Sequence, residues 1–199
     1  IRHGKTAGNL LGRYIGSRTD EPLCDEGREG LAGKQLPEVE RLYVSPMKRC
    51  VETAEILWPG FDRKKMQKVT DLRECDFGDF ENKNYKELSG NGDYQAWIDS
   101  NGTLPFPNGE SMDAFKSRCL EAFARIVEEV SGAEQKWIAS GKTGIFRAGI
   151  VVHGGTIMAI LEQYGYPKAA YFDYQVKNGC GYRLTPVEGT RLWNCLCLQ

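Results

Sequence analysis

Short apolar runs alternate along the chain with longer stretches in which apolar residues recur every three or four positions. Arg41 to Ser45 has the length of a buried strand, and Pro46 then opens a stretch of helical spacing that reaches Leu57. Proline suits the first turn of a helix, because the N–H that it lacks has no partner there. Gln67 to Thr70 is the next predicted strand.

The second half of the chain repeats this alternation with clearer boundaries. Ser111 is a predicted N-cap, and apolar residues at helical spacing follow it towards Ala139. The other predicted elements are a strand at Ala148 to Val152, a helix at Thr156 to Tyr164, and strands near Gly181 to Thr185 and Arg191 to Leu198.

Strands and helices in this order predict an α/β fold with a mainly parallel sheet and helices on both faces. The 199 residues suit a single domain over 1–199, since a domain takes roughly 100–200 residues. Ligands of such sheets bind outside the carboxyl ends of the strands. We expect Ile1 to be the last residue of a strand, so the polar residues that follow it belong to this edge.

Composition excludes several classes of partner. The formal net charge is −1, whereas a dedicated nucleic-acid binder carries a basic excess. No run approaches the ~20 apolar residues that span a bilayer, so we expect no membrane partner. The seven cysteines are scattered, and with two histidines they make a metal site improbable. Free, mostly buried thiols predict a cytoplasmic protein. We also expect no metal and no cofactor.

Both histidines follow a predicted strand and precede glycine. His3 comes after Ile1, and His153 comes after the strand that ends at Val152. A lone buried histidine is usually a hydrogen-bonded core residue, but two at equivalent strand ends indicate a site. Helix N-termini there offer free N–H groups, and Arg2 and Arg49 add guanidinium groups that match phosphate oxygens. The sequence therefore predicts an anion pocket suited to a phosphoryl group.

Glu74 supplies a carboxyl group near the same edge, just past the strand that ends at Thr70. A carboxyl there can protonate a departing alkoxide and later accept a proton from water. The alternative is a surface ion pair with Arg73, and the residues alone leave both interpretations open.

Six motifs extend this pattern over nearly the whole chain and occur in one order. They are Arg2-His3-Gly4-Lys5-Thr6 with Asn9, Asp20-Glu21-Pro22-Leu23, Ser45-Pro46-Met47-Lys48-Arg49, Leu72 to Glu81, Pro107-Asn108-Gly109-Glu110-Ser111, and Val152-His153-Gly154-Gly155. In this order they resemble the histidine phosphatase superfamily, the phosphoglycerate mutase-like clan. Phe80 stands where the family often has tryptophan, and Asn82 and Asn108 stand where it often has glycine; we expect Phe80 and Asn82 to bear on the wall that sets specificity.

The resemblance implies a three-layer α/β/α sandwich and a phosphohistidine mechanism. By this resemblance His3 is phosphorylated during turnover, Glu74 donates the proton, and Arg2, Arg49 and His153 hold the phosphoryl group. Asn9 lines the same pocket. The further candidates for phosphate or substrate binding are Thr6, Arg13 and Gly154, and Arg18 is a second possible contact to the rest of a substrate.

The segment 81–110, which we name the roof segment, is short for a mutase of this clan. Its length is similar to that of the small phosphatases, such as alpha-ribazole phosphatase. We therefore predict metal-independent hydrolysis of a small phosphomonoester, with alpha-ribazole phosphate and a sugar phosphate as the candidate substrates. The alternatives are a cofactor-dependent phosphoglycerate mutase and a non-catalytic module that binds phosphorylated ligands. The oligomeric state is a monomer or a homodimer.

Overall fold

Strand β1 (Arg41–Val44) lies at the centre of a parallel sheet because its apolar residues face both sides of it. In the computed structural model, which describes residues 1–198, β1 pairs in parallel with β2 (Gln67–Lys68) on one side. On its other side it pairs in parallel with β3 (Ala148–Val151). A second group of strands contains β4 (Gly165–Tyr166), β5 (Gly181–Pro186) and β6 (Trp193–Leu198); β6 pairs in parallel with β4 and antiparallel with β5.

Residues 1–3 lie between the two groups of strands. Arg2 forms a parallel bridge with Val152, and the Val152 N–H donates to the carbonyl of Ile1 at 2.9 Å. On the other side the Arg2 N–H donates to the Cys180 carbonyl at 2.8 Å, just before β5. The start of β5 therefore lies beside the carboxyl edge of the parallel strands, because β5 runs the opposite way.

Helices cover both faces of the sheet. They are α1 (Ala7–Leu10), α2 (Asp25–Glu29), α3 (Lys48–Leu57), α4 (Gly92–Asp99), α5 (Met112–Ala139) and α6 (Gly154–Tyr164). Within residues 1–198, four short 3-10 helices lie between these elements, at Arg63–Lys65, Thr70–Leu72, Gly78–Phe80 and Tyr171–Tyr174.

Alternating side chains of β1 separate two hydrophobic cores. Leu42 and Val44 pack with residues of α3, while Tyr43 packs with Phe123 of α5 and Ile157 of α6. This alternation follows from the two-residue period of a strand. The result is a sheet with a layer of helices on each side, as the sequence predicts.

A third core lies under the roof segment. Phe80, Leu88 and Phe106 pack there against Phe115 and Cys119 of α5. Within residues 1–198 no helix is long and apolar enough to cross a membrane.

The predicted elements differ from the observed ones mainly at their ends. The strand predicted at Gln67 to Thr70 has only two residues, because a 3-10 turn starts at Thr70. Helix α3 starts at Lys48 rather than Pro46, and α6 starts at Gly154 rather than Thr156. The last strand starts at Trp193, since Val187 and Leu192 are already joined in the turn before it.

Candidate active site

The imidazole of His3 is held in one tautomer. Its backbone N–H donates to the Val152 carbonyl at 2.9 Å, which continues the pairing of residues 1–3 with β3. Its Nδ1 lies 2.7 Å from the Gly4 carbonyl oxygen. Because a carbonyl oxygen only accepts, Nδ1 carries the proton and Nε2 keeps a free lone pair. The Gly4 N–H is itself fixed, 2.9 Å from Thr53 Oγ1 on α3.

His153 is the N-cap of α6, and its ring lies 5.2 Å from the His3 ring, centroid to centroid. Arg49 Nε donates to His153 Nδ1 at 3.3 Å. His153 Nε2 therefore carries the proton and donates to Ser45 Oγ at 2.8 Å. Both ring nitrogens thus have protein partners, so a phosphoryl oxygen has to replace one of them to bond the imidazole.

Arg49 is fully buried in the first turn of α3. Its Nη1 donates to the Thr19 carbonyl at 2.8 Å and its Nη2 to the Gly16 carbonyl at 2.9 Å. The N–H groups of Thr19 and Gly16 both donate to Glu81 Oε1, each at 2.9 Å. Glu81 thus fixes the loop that holds the guanidinium.

Arg2 has a donor to spare. Its Nη1 donates to the Val176 carbonyl at 2.7 Å. Its Nε is buried, and it is one of two buried side-chain N or O atoms within residues 1–198 without a hydrogen-bond partner; the other is Trp97 Nε1 in the roof segment. A buried N–H without a partner costs about 1–3 kcal/mol, which an incoming anion can recover.

Glu74 is buried and accepts two backbone hydrogen bonds. The Cys75 N–H donates to Oε1 at 3.0 Å, and the Gly155 N–H donates to Oε2 at 3.1 Å. The second contact places the carboxyl group at the N-terminus of α6, beside His153. A Cβ at position 155 would lie 2.5 Å from Glu74 Oε1, so a larger residue there would displace the carboxyl group.

Burial and neighbouring charges shift the pKa of each titratable group in this cluster. Burial, with the positive charge of Arg49, lowers the pKa of both His3 and His153 well below 6.5. Burial raises the pKa of Glu74 above its ordinary value of 4.5. Both imidazoles are therefore neutral near pH 7, and the carboxyl group retains its proton to a higher pH than an exposed glutamate does.

The other predicted binding residues make contacts within the chain. Thr6 caps α1 through the Asn9 N–H at 3.2 Å, and Asn9 Oδ1 accepts from the Thr6 N–H at 3.2 Å. Gly154 begins α6, with Arg2 side-chain atoms 3.5 Å from the position of a Cβ. Arg13 points to the roof segment instead, where it bonds the Asn82 carbonyl and pairs with Glu87 at 2.9 Å.

Sequence reasoning missed two polar residues of this cluster, Asn178 and Ser45. Asn178 Nδ2 donates to the His3 carbonyl at 3.1 Å and to Asn9 Oδ1 at 3.2 Å. It lies just before β5, and only the antiparallel direction of that strand brings it to this edge. Ser45 directly follows the strand Arg41–Val44, and a polar residue just past a strand end was a usable signal.

The cluster brings two neutral imidazoles, two guanidinium groups and one carboxyl group to the carboxyl edge of the sheet. His3 Nε2 can attack an electrophile, the arginines can neutralise a dianion, and the carboxyl group can exchange a proton. Such a combination defines the class of proteins that bind and transfer phosphoryl groups.

Comparison with known proteins identifies the family. The model of the histidine phosphatase superfamily, branch 1, matches residues 1–197, and the chain belongs to that superfamily. The predicted family is thereby confirmed, and with it the expectation of a phosphatase enzyme.

Individual relatives carry different names. The chain is 30% identical to phosphoglycerate mutase-like protein 4 of Arabidopsis thaliana over 173 residues, covering 82% of this chain and 68% of that protein. It is 26% identical to the adenosylcobalamin/alpha-ribazole phosphatase of Escherichia coli over 189 residues, covering 90% of this chain and 85% of that protein. The crystal structure of a protein described as an alpha-ribazole-5'-P phosphatase from Escherichia coli superposes with a TM-score of 0.78 at 22% identity, covering 100% of this chain and 93% of that one. This likeness confirms the phosphoglycerate mutase-like α/β fold.

Proposed function

We propose that the protein hydrolyses a small phosphomonoester in two steps through a phosphohistidine on His3. In the first step His3 Nε2 attacks phosphorus, the bond from phosphorus to the ester oxygen breaks, and Glu74 gives its proton to that oxygen. In the second step Glu74 takes a proton from water, whose oxygen attacks phosphorus and releases phosphate. His3 is then neutral again and Glu74 is protonated.

The tautomer of His3 carries this proposal. The hydrogen bond from Nδ1 to the Gly4 carbonyl leaves Nε2 unprotonated, and the low pKa keeps it so at neutral pH. The unpartnered Nε of Arg2 supports a neighbouring oxyanion, because an N–H without a partner invites an acceptor. Arg49 and His153 complete the proposed phosphoryl pocket. Preorganised donors of this kind are usually the largest contribution to phosphoryl transfer.

Ion pairs at the rim support a substrate whose remaining part is not strongly anionic. Arg13 is paired with Glu87 at 2.9 Å, and Arg18 is paired with Asp76 at 2.7 Å. A phosphoglycerate brings a carboxylate as well as its phosphate, and that carboxylate has to compete with these side chains for the arginines. Hydrolysis of a monoester of a neutral alcohol is therefore favoured over mutase activity.

Among such esters we place alpha-ribazole phosphate first and sugar phosphates second. The Escherichia coli relative named for alpha-ribazole supports this order, since the alignment covers most of both chains. Metal independence, cytoplasmic location, the position of the roof segment over the pocket, and a monomer or homodimer remain predictions from the sequence.

Phosphate release in the presence of EDTA tests the proposal. The panel contains p-nitrophenyl phosphate, alpha-ribazole phosphate, a sugar phosphate and 3-phosphoglycerate. We expect release from the first three without added metal. Interconversion of phosphoglycerates without release would establish the mutase instead, and binding without either reaction would establish the non-catalytic module.

Replacement of the proposed nucleophile is the sharper test. We expect His3→Ala to lower kcat by at least about a thousandfold, because no other group supplies the attacking lone pair. Rapid alkaline quenching of the wild type with radiolabelled substrate should trap phosphate on the protein, and the variant should trap none. Hydrolysis by a folded His3→Ala protein at the wild-type rate would disprove the mechanism.

A further inference from the structure

Arg118 of α5 uses all its donors around the backbone that carries Glu74. Its Nη1 donates to the carbonyls of Asp71 and Arg73, each at 2.8 Å, and its Nη2 donates to the Glu74 carbonyl at 3.0 Å. The remaining N–H groups, on Nε and Nη2, form a bidentate pair with Glu110 at 2.7 and 2.8 Å. A guanidinium has five N–H groups, so none is left for a substrate.

Glu110 holds the other side of the same turn. Its Oε2 accepts the Asp76 N–H at 3.3 Å, and its backbone N–H donates to the Asp76 carbonyl at 2.9 Å. Between them the two side chains bond the backbone at 71, 73, 74 and 76, on both sides of Glu74. Their side chains are only 19% and 17% exposed, so water competes weakly for these contacts.

We propose that the Arg118–Glu110 pair is a positioning device that holds the Glu74 carboxyl group at the angle needed for proton donation. The inference rests on the proposed function, because it assigns these residues to the proton donor. Neither of them touches the reacting atoms. An error of about 1 Å in the placement of a reacting group can cost about a hundredfold in rate, so a rigid backbone here has a measurable consequence.

Leaving-group chemistry distinguishes positioning from general structural support. A poor leaving group such as phenol needs its proton in the transition state, whereas a good one such as p-nitrophenol needs it much less. The parameter to compare is kcat/KM, since it reports the steps up to release of the alcohol. Breakdown of the phosphohistidine is the same for every ester.

We expect Arg118→Met to lower kcat/KM for phenyl phosphate by about 10- to 100-fold, and for p-nitrophenyl phosphate by less than about threefold. In a Glu74→Gln background the same substitution should add no further difference between the two esters. Glu110→Gln should shift the ratio in the same direction by a smaller factor, and it keeps the test decisive if Arg118→Met does not fold.

Arg125→Met is the matched control. Arg125 lies two turns further along α5 and also bonds Asp71, but through the exposed carboxylate at 2.6 Å rather than the backbone. Its loss should leave the ratio of the two esters unchanged. Equal losses with both esters in Arg118→Met and Glu110→Gln would overturn the positioning role alone. Equal losses in Glu74→Gln itself would overturn the proposed proton donor, and the positioning role with it.

Discussion

At the scale of single residues, the cluster combines groups that each bear a cost of burial. His3 and His153 lose part of their basicity beside Arg49, and Glu74 is held away from water between two backbone N–H groups. Each shift favours the protonation state that the proposed chemistry uses. We expect this arrangement to lower the stability of the fold, because residues selected for chemistry are seldom optimal for folding.

The pH dependence of thermal stability in Glu74→Gln tests whether burial of this carboxyl group destabilises the fold. Because the pKa of Glu74 is raised in the folded protein, wild-type stability falls as pH rises from 4.5 through the folded pKa. The glutamine cannot ionise, so the variant is spared this loss. We expect the Tm of the variant minus that of the wild type to be near zero at about pH 4 and positive at about pH 8. The difference should be about 2–4 °C for each kcal/mol by which ionisation of Glu74 destabilises the wild type.

Thermal unfolding at several pH values gives this difference directly. The histidines titrate in both proteins, so their contribution cancels in the comparison. Glu134→Gln on α5 is the control, because it makes the same substitution at an exposed position. A difference that does not grow with pH would mean that the Glu74 carboxylate carries no net cost in the fold.

The departures from the family pattern at Asn82 and Asn108 have a conformational reason. Their φ angles are +57° and +54°, in the left-handed region that glycine adopts freely and asparagine tolerates best among other residues. Asparagine therefore adopts here a backbone conformation that glycine, the residue expected from the resemblance, also reaches. Phe80 is 1% exposed and packs against Leu88 and Phe106 in the core under the roof segment, so the structure gives it a packing role.

At the scale of elements, the sequence predicts what local chemistry determines. Ser111 accepts the Ala114 N–H at 3.1 Å, so the long amphipathic helix begins where its cap indicates. The direction of a strand cannot be predicted in this way, since apolar and polar residues alternate equally in an antiparallel and in a parallel β5. Sequence reasoning could place His3, Arg49, Glu74 and His153 after predicted strands or in the adjoining helix turn, but it could not place Asn178 or the contacts of Arg118.

The roof segment is held by aromatic packing, and this can be tested. Phe80 contacts Tyr94 and Phe106 edge to face, with ring centroids 5.3 and 5.9 Å apart. We expect Phe80→Ala to weaken the segment by about 3–5 kcal/mol, the usual cost of removing a buried phenylalanine. Hydrogen exchange should show protection lost in 81–110 first, while β1 and β3 keep theirs.

Tyr85→Ala is the control within the same segment, because Tyr85 is 64% exposed. It should leave the exchange pattern unchanged. Uniform loss of protection over the whole chain in Phe80→Ala would show that the roof segment unfolds only together with the sheet.

At the scale of the whole molecule, the fold gathers four distant parts of the chain into one cluster. Arg2, Arg49, Glu74 and His153 come from the first residues, α3, the turn after β2 and the start of α6. Burial and, after it, the positive charges of Arg49 and Arg2 lower the pKa of both histidines. In the proposed function, a phosphate dianion bound between Arg2 and Arg49 connects all four parts at once.

Inorganic phosphate should therefore stabilise the entire fold. A ligand at about 100 times its Kd adds about 2.7 kcal/mol of stability, and each kcal/mol raises Tm by about 2–4 °C in a chain of this size. Arg2→Met should remove most of the shift, since Arg2 Nε is the buried donor without a partner.

Sodium chloride at equal ionic strength is the control that separates phosphate binding from charge screening. Arg125→Met should show the same phosphate shift as the wild type. An equal phosphate shift in Arg2→Met would place the anion elsewhere, because a pocket that lacks this guanidinium cannot hold phosphate as tightly.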